Sequence, residues 1–253
     1  MTRQWQNRLT AAILPVGILL TWQGIAMLNA TPLFPSPVRV AGDAIRYAPE
    51  ILSELRHTLF RATLGLALAM ATMIPFGIFL GRFRVIGAVM EPVIDMIATL
   101  PPPAMIPIVM LFAGTGDWAK IVVIAYAAGV PLLINAVEAT RTVHPMLNRV
   151  GRSLRMGRLD AMLHIDLPAS LPMIATGLRL AISASLLVSV TSEMLLATNG
   201  IGVFLQKRQE LFQISAGLAG IAAISVMGVL INNLFLRLER RLLFWHYRPE
   251  DPS

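Results

Sequence analysis

The chain has 253 residues, 56% of them hydrophobic and 14% charged, and its 21 Lys plus Arg against 14 Asp plus Glu give a net charge of +7. An ordinary soluble domain carries about a quarter charged residues, so this composition, with a mean hydropathy of +0.68, excludes a disordered chain, a secreted disulfide scaffold and most soluble enzymes. The absence of cysteine removes thiol nucleophiles, thiolate metal sites and disulfides. The chain reads as an all-α, polytopic membrane protein. Its basic residues lie in the breaks between apolar blocks, where the positive-inside bias accounts for them without nucleic acid.

A helix needs about 20 apolar residues to cross the hydrocarbon core. Leu9 to Leu28, preceded by Arg3 and Arg8, is the first candidate. A signal peptide begins the same way and Leu28-Asn29-Ala30 is a weak cleavage site, but the stretch is long and carries Pro15, Trp22 and Gln23, which favours an uncleaved anchor. The segment 29–61 reads as an outer loop with a surface helix over Val38 to Leu59, and the second span as Ala62 to Leu80. Next come two apolar stretches, Ala88 to Leu100 and Ala104 to Ala113, parted by Pro101, Pro102 and Pro103. They form either one kinked span or a re-entrant pair. Arg82 and Arg84 before them, and the arginines after the following span, fall on one side only if the pair crosses once, which favours the kinked span.

The fourth span is expected over Ala119 to Val137, the fifth over Leu171 to Leu196 and the sixth over Ile214 to Leu236, ahead of a basic tail at 237–253. Six spans place both termini in the cytoplasm, with thirteen basic residues inside, seven outside and Arg179 within a span. Charged groups inside spans are costly and often functional. Asp95, Thr99, Pro102, Ser189 and Glu193 are therefore candidates for a translocation path. Glu193 either lines an exit, pairs with a neighbouring helix or reaches interfacial water; Asp95 suits structural pairing better, Arg179 snorkelling or structural pairing, and Asn135 a helix–helix hydrogen bond. His57, His144, His164 and His246 lie outside the spans without paired-ligand spacing, so no metal site is expected, and no Gly-x-x-x-x-Gly-Lys-Ser/Thr phosphate loop occurs.

The longest cytoplasmic loop, 138–170, has apolar residues at Val150, Leu154, Leu159, Met162, Leu163 and Leu167, which suit two short amphipathic helices along the membrane. Gly157 is the expected hinge, and Pro168 and Pro172 should stop the second helix and start the fifth span. Arg149, Arg152, Arg155 and Arg158 are spaced by three and would share a helix stripe facing lipid phosphate or an acidic partner.

This loop resembles that of the inner-membrane permease subunits of binding-protein-dependent ABC importers, which begins Glu-Ala-Ala, has Gly four residues on, and ends Ile-x-Leu-Pro. Ile165-Asp166-Leu167-Pro168 matches the end of that pattern. Counting back puts Arg149, Val150 and Gly151 on Glu-Ala-Ala and Arg155 on the glycine, with Arg152, Ser153 and Leu154 on a common Arg-Ser-Leu. Leu33-Phe-Pro-Ser-Pro37, Pro101-Pro-Pro103, Ile106-Pro107, Phe112-Ala-Gly114, Ala119-Lys-Ile121, Gly177-Leu-Arg-Leu-Ala181, Ser192-Glu-Met194 and Gly200-Ile-Gly202 are similar, in order and spacing, to the sulfonate, nitrate and taurine branch.

The resemblance implies one transmembrane permease domain over 1–253 in a bacterial inner membrane, with the fold of a type I importer permease. It implies docking of a separate ABC ATPase through Arg149 to Arg155, Gly157, Ile165, Leu167 and Pro168. It further implies a periplasmic binding protein that delivers a small solute, and a second permease subunit. Arginine in place of the pattern's acidic residue and glycine leaves a homodimer and a heterodimer both open. No cofactor would be bound by this chain, since ATP and Mg would sit on the ATPase, and the chain would not itself be an enzyme. An autonomous secondary transporter or channel is the alternative; it is a poor fit to six spans with no evident inverted repeat.

Overall fold

The computed structural model describes residues 2–29, 31 and 33–244. In chain order the described residues form α1 (Thr2–Asn29), α2 (Pro37–Arg46), α3 (Ala48–Arg82), α4 (Arg84–Thr99), α5 (Pro102–Ala113), α6 (Asp117–Arg141), α7 (Pro145–Ser153), α8 (Arg158–Ala161), a π turn (Met162–Asp166), α9 (Leu167–Leu196), α10 (Ile201–Glu210) and α11 (Ile214–Leu242). Ala48–Arg82, Asp117–Arg141, Met162–Leu195 and Ile214–Leu242 are each long and apolar enough to cross a membrane, and α4 with α5 makes a fifth crossing if the bent pair is one span. In α1 the described apolar stretch is the shorter Ile13–Leu28. Residues 245–253, with His246 and Arg248 of the basic tail, lie outside the described residues.

The core is built on α3, α6 and α9, and small residues set its spacing. A Cβ on Gly65 would lie 2.5 Å from Ile124, one on Gly77 2.5 Å from Ala136, and one on Gly81 2.6 Å from Thr140. The helix backbones therefore touch, the arrangement that lets helices associate where burial from water offers no drive. These contacts advance together along both helices, so α3 and α6 run parallel. The chain must accordingly return the length of the core between them, and α4 with α5 does so. The pair is bent by 95°, so the expected kinked span is two helices at nearly a right angle. Leu100 and Pro101 are extended, the conformation favoured by residues before proline. Tyr126 donates its hydroxyl to the carbonyls of Ile97 at 2.6 Å and Leu100 at 3.1 Å, tying α6 to the break at the end of α4.

Helix α9 runs antiparallel to α6. Gly177 faces Asn135, Ala181 packs with Ala128 and Leu132, and Val188 with Val123 and Ile124. Helix α11 packs Ala219 against Phe204 of α10 near its start and pairs Glu239 with Arg179 near its end. Trp22 of α1 donates to the carbonyl of Pro35 at 3.1 Å, just before α2.

Two boundaries differ from the sequence reading. The surface helix expected over Val38 to Leu59 is divided between α2 and the first part of α3, which continues unbroken through Arg61 to Arg82. No Pro or Gly occurs from Glu50 to Leu64, and Arg61 is buried rather than marking an interface. Nor do Pro168 and Pro172 stop a helix. The π turn leads directly into α9, with the Leu167 amide bonded to the Met162 carbonyl. That wider turn gives the Pro168 ring clearance from the preceding turn.

Gly77→Leu should force α3 from α6 and lower the unfolding midpoint of the detergent-solubilised protein by several degrees, whereas Gly24→Leu, on α1 with nothing within 4 Å, should leave it unchanged.

Candidate functional site

The α3–α6–α9 core has two polar ends. At one end the loop 142–166 folds as α7, a reversal, α8 and the π turn. Helix α7 closes where Leu154 donates to Val150 and Met156 to Gly151, each at 3.0 Å, around Arg155 with φ 52°. This is a left-handed helix stop of the kind usually made by glycine. The expected hinge thus falls at Arg155 and not at Gly157, whose carbonyl instead receives the Ala161 amide at 2.9 Å and starts α8. Arg155 occupies the position where the resembled pattern has glycine, and the left-handed backbone gives that glycine its physical reason.

Gly151 is buried, and a Cβ there would meet the Ile165 side chain at 2.8 Å, so α7 rests directly on the π turn. Arg149, Val150, Ser153 and Leu154 are exposed, and Leu154 keeps 67% of its surface. The side chains of Arg152 and Arg158 lie outside the described residues. Because α7 ends at Ser153 and α8 begins at Arg158, Arg149, Arg155 and Arg158 do not form the single helical stripe that their spacing suggested.

Ion pairs tie this end together. Asp166, 1% exposed, lies with Oδ2 3.3 Å from Arg82 Nη1, joining the base of α9 to the end of α3. Arg141 pairs with Glu91 at 3.2 Å and Arg179 with Glu239 at 2.9 Å. Ile165, Leu167 and Pro168 are partly buried. Leu167 packs against the Ile78, Ala136, Ala139 and Ile174 cluster.

At the opposite end, Glu193 is fully buried and Arg61 is 2% exposed. The Glu193 carboxylate accepts from Arg61 Nη1 at 2.8 Å, Thr58 Oγ1 at 2.8 Å and the Gly202 amide at 3.1 Å. Arg61 also donates to Asp117 Oδ1 at 2.9 Å, to the Asn199 carbonyl at 2.9 Å and to the Asn199 side chain. Lys120 stands 3.4 Å from Asp117, so two cations face two carboxylates. Such closure matters because a buried ion repays its desolvation only when its hydrogen bonds are nearly complete.

Gly200, at φ 114°, sits where a Cβ would lie 2.3 Å from the Glu193 carboxylate, and a Cβ on Gly202 would strike the Val190 carbonyl at 2.4 Å. The Gly200-Ile-Gly202 motif is therefore the clasp around Glu193. Ser189 adds a bond from its hydroxyl to the Thr58 carbonyl at 3.3 Å.

The five path candidates are not brought together. Ser189 and Glu193 belong to this closed network, whereas Asp95 and Thr99 are exposed on α4 and Pro102 begins α5. Asp95 has no hydrogen bond or ion pair to a described residue, contrary to the expected pairing. Asn135 bonds within its own helix, to the Pro131 carbonyl at 2.8 Å, rather than across helices. Sequence reading missed Thr58, Arg61, Asp117 and Asn199. The available signal was Thr58, Arg61 and Gly65 on one helix face leading into an apolar run, with an unpaired Glu193 in a distant span.

Glu193→Ala leaves Arg61 buried without its main counter-charge, and should cost about 3–5 kcal/mol. Arg61→Met combined with Glu193→Met should cost much less than the sum of the single changes, read from unfolding midpoints in a double-mutant cycle.

This architecture has relatives. A sequence model of the family described as "Binding-protein-dependent transport system inner membrane component" matches residues 73–244. The taurine transport system permease protein TauC of Escherichia coli is 30% identical over 250 residues, covering 95% of this chain and 91% of that protein. The bicarbonate transport system permease protein CmpB of Synechococcus elongatus is 29% identical over 259 residues, covering 95% and 93%. A crystal structure of an amino acid ABC transporter with histidines shares the fold, with a TM-score of 0.61 over 78% of this chain and 96% of that chain at 19% identity. The chain belongs to the binding-protein-dependent transport system inner membrane components, and is an inner-membrane permease subunit of an ABC importer.

Proposed function

We propose that the loop 142–166 faces the cytoplasm and docks a separate ABC ATPase, which carries the ATP and Mg. The carrying observation is the solvent-facing apolar surface of α7 and its stop, where Met146, Leu147 and Val150 are exposed on the helix and Leu154 in the turn just beyond it, held by Arg155. An amphipathic helix seated in a groove is a general mode of docking. Orientation is supported by charge. The loop end of the core gathers Arg82, Arg84, Arg141, Arg149, Arg155, Arg237, Arg240 and Arg241. The far end carries Arg39, Arg46, Arg56, Arg61, Lys120, Lys207 and Arg208, so the positive-inside bias is modest but favours the loop end. With α1 as a sixth crossing, both termini lie in the cytoplasm.

Motion of the ATPase would enter through α7 and reach the π turn across the Gly151–Ile165 contact. Helix α9 is joined to α3 by Asp166–Arg82 at one end and by Glu193–Arg61 at the other. It cannot swing alone, so α3, α6 and α9 would turn as one body. The mobile boundary is then the weakly covered α4–α5 pair, whose Val89, Met96, Leu111 and Phe112 are exposed. A second permease subunit would face it, with Asp95 and Thr99 beside the solute path. The solute would be a small molecule delivered by a periplasmic binding protein. Relatives named for taurine and bicarbonate favour one that carries an anionic group.

Leu154→Asp should reduce co-purification of the ATPase by at least about tenfold, a loss on the scale of one buried apolar anchor, and should abolish ATP-dependent uptake with membrane insertion intact. Full retention of the ATPase would contradict this docking. Arg155→Gly should retain the ATPase and relieve about 1 kcal/mol of left-handed strain, seen as slower proteolysis of the loop.

A further inference from the structure

We propose a peripheral binding site for a small oxoanion at the end of the core distant from α7, between α2 and the start of α11. A cavity of about 210 Å³ there is lined by Arg39, Asp43 and Arg46 of α2, by Tyr47, and by the turn leading into Ile214, Ser215 and Ala216. At about 30 Å³ per water, it holds one such anion with part of its hydration.

Three independent features point to negative charge. Helix α11 is 29 residues long and its N-cap, Gln213, makes no side-chain cap bond. The amides of Ile214, Ser215 and Ala216 have no hydrogen-bond partner among the described residues, the first capping bond being Gly217 to the Gln213 carbonyl. Free amides at the positive end of a helix dipole attract anions. The Ser215 hydroxyl is buried, in a residue only 6% exposed, and it too has no partner. A buried polar atom left unsatisfied is costly, and a bound oxoanion would accept from this hydroxyl. Arg39 and Arg46 supply two positive charges against the one carboxylate of Asp43, and neither forms an ion pair with a described residue.

The site is also held in shape. Arg208 donates to the Gln213 side-chain oxygen at 2.8 Å, pairs with Glu50 and stacks on the Tyr47 ring at 4.3 Å. Arg46 lies 5.6 Å from that ring. Two walls of the cavity are thus fixed by one guanidinium, leaving Arg39, Arg46, the helix amides and Ser215 to face the ligand. The arrangement is separate from the Arg61–Glu193 network and does not depend on what α7 docks.

Oxoanion chemistry has two sources here, a dissolved anion and a lipid phosphate. The full-length permease in detergent should show a higher unfolding midpoint in inorganic sulfate than in chloride at equal ionic strength. In nanodiscs, anionic phosphatidylglycerol replacing zwitterionic phosphatidylcholine, whose phosphate is offset by its own choline, should raise the midpoint only if an anionic lipid headgroup is the occupant. Whichever anion binds, Arg39→Gln with Arg46→Gln should weaken it at least about tenfold, as expected for loss of charged hydrogen bonds, and Ser215→Ala should weaken it several-fold. Equal stabilisation of the wild-type chain and these variants would show only a general salt effect and overturn the proposal. Absence of any response to sulfate and to phosphatidylglycerol would overturn it as well.

Discussion

A carboxylate and a guanidinium that have both left water must remain together, and Glu193 and Arg61 organise one end of this molecule around that requirement. Their positions, 132 residues apart, bring α3 and α9 into register, and Asp117 adds the start of α6. The surrounding motif answers the same demand. Gly202 supplies an amide, Thr58 a hydroxyl, and Gly200 the absence of a side chain where one would collide with the carboxylate. The pair can be buried because it is saturated with partners. Either charge left alone would be the most expensive group in the fold.

The opposite end repeats the device with less closure. Asp166 and Arg82 join the same two helices at their other ends, and Gly151 seats α7 on the turn that carries Asp166. A force applied to α7 therefore reaches a core bolted above and below, with backbones in direct contact at Gly65, Gly77 and Gly81 between the bolts. Such a unit transmits displacement without bending. The α4–α5 pair lacks this support: α4 buries only Gly87, α5 only Ile106, and a right-angled break separates them. Transport of the kind its family performs suits this division into a firm core and a loosely held partner.

Much of the fold was legible because apolar length and proline position are local properties. The blocks at 119–137, 171–196 and 214–236 fall inside α6, α9 and α11, and the proline run marks the break between α4 and α5. The resemblance, carried by the loop's end and by Gly200-Ile-Gly202, identified the family. What escaped was pairing across long sequence distance. Arg61 read as the edge of a span because nothing near it announces Glu193, and the closed network holding Ser189 and Glu193 came from four residues with no spacing of their own. Proline was over-read at 168, since a π turn absorbs a ring that an α-helix would reject. Glycine was over-read at 157, since the backbone takes the left-handed turn at Arg155 despite its side chain.

That the core moves as one body is the central physical claim. The chain has no cysteine, so paired spin labels can be placed without background. Thr63→Cys on α3 and Leu187→Cys on α9, both exposed positions, report the separation of these two helices, and Asp160→Cys on exposed α8, labelled in two associated permease copies, reports the approach of their loops without touching the docking face. With the transporter reconstituted and ATP added, the Thr63–Leu187 distance should stay fixed while the Asp160–Asp160 distance shortens. A change between α3 and α9 on ATP binding would contradict it and would place the moving joint inside the core.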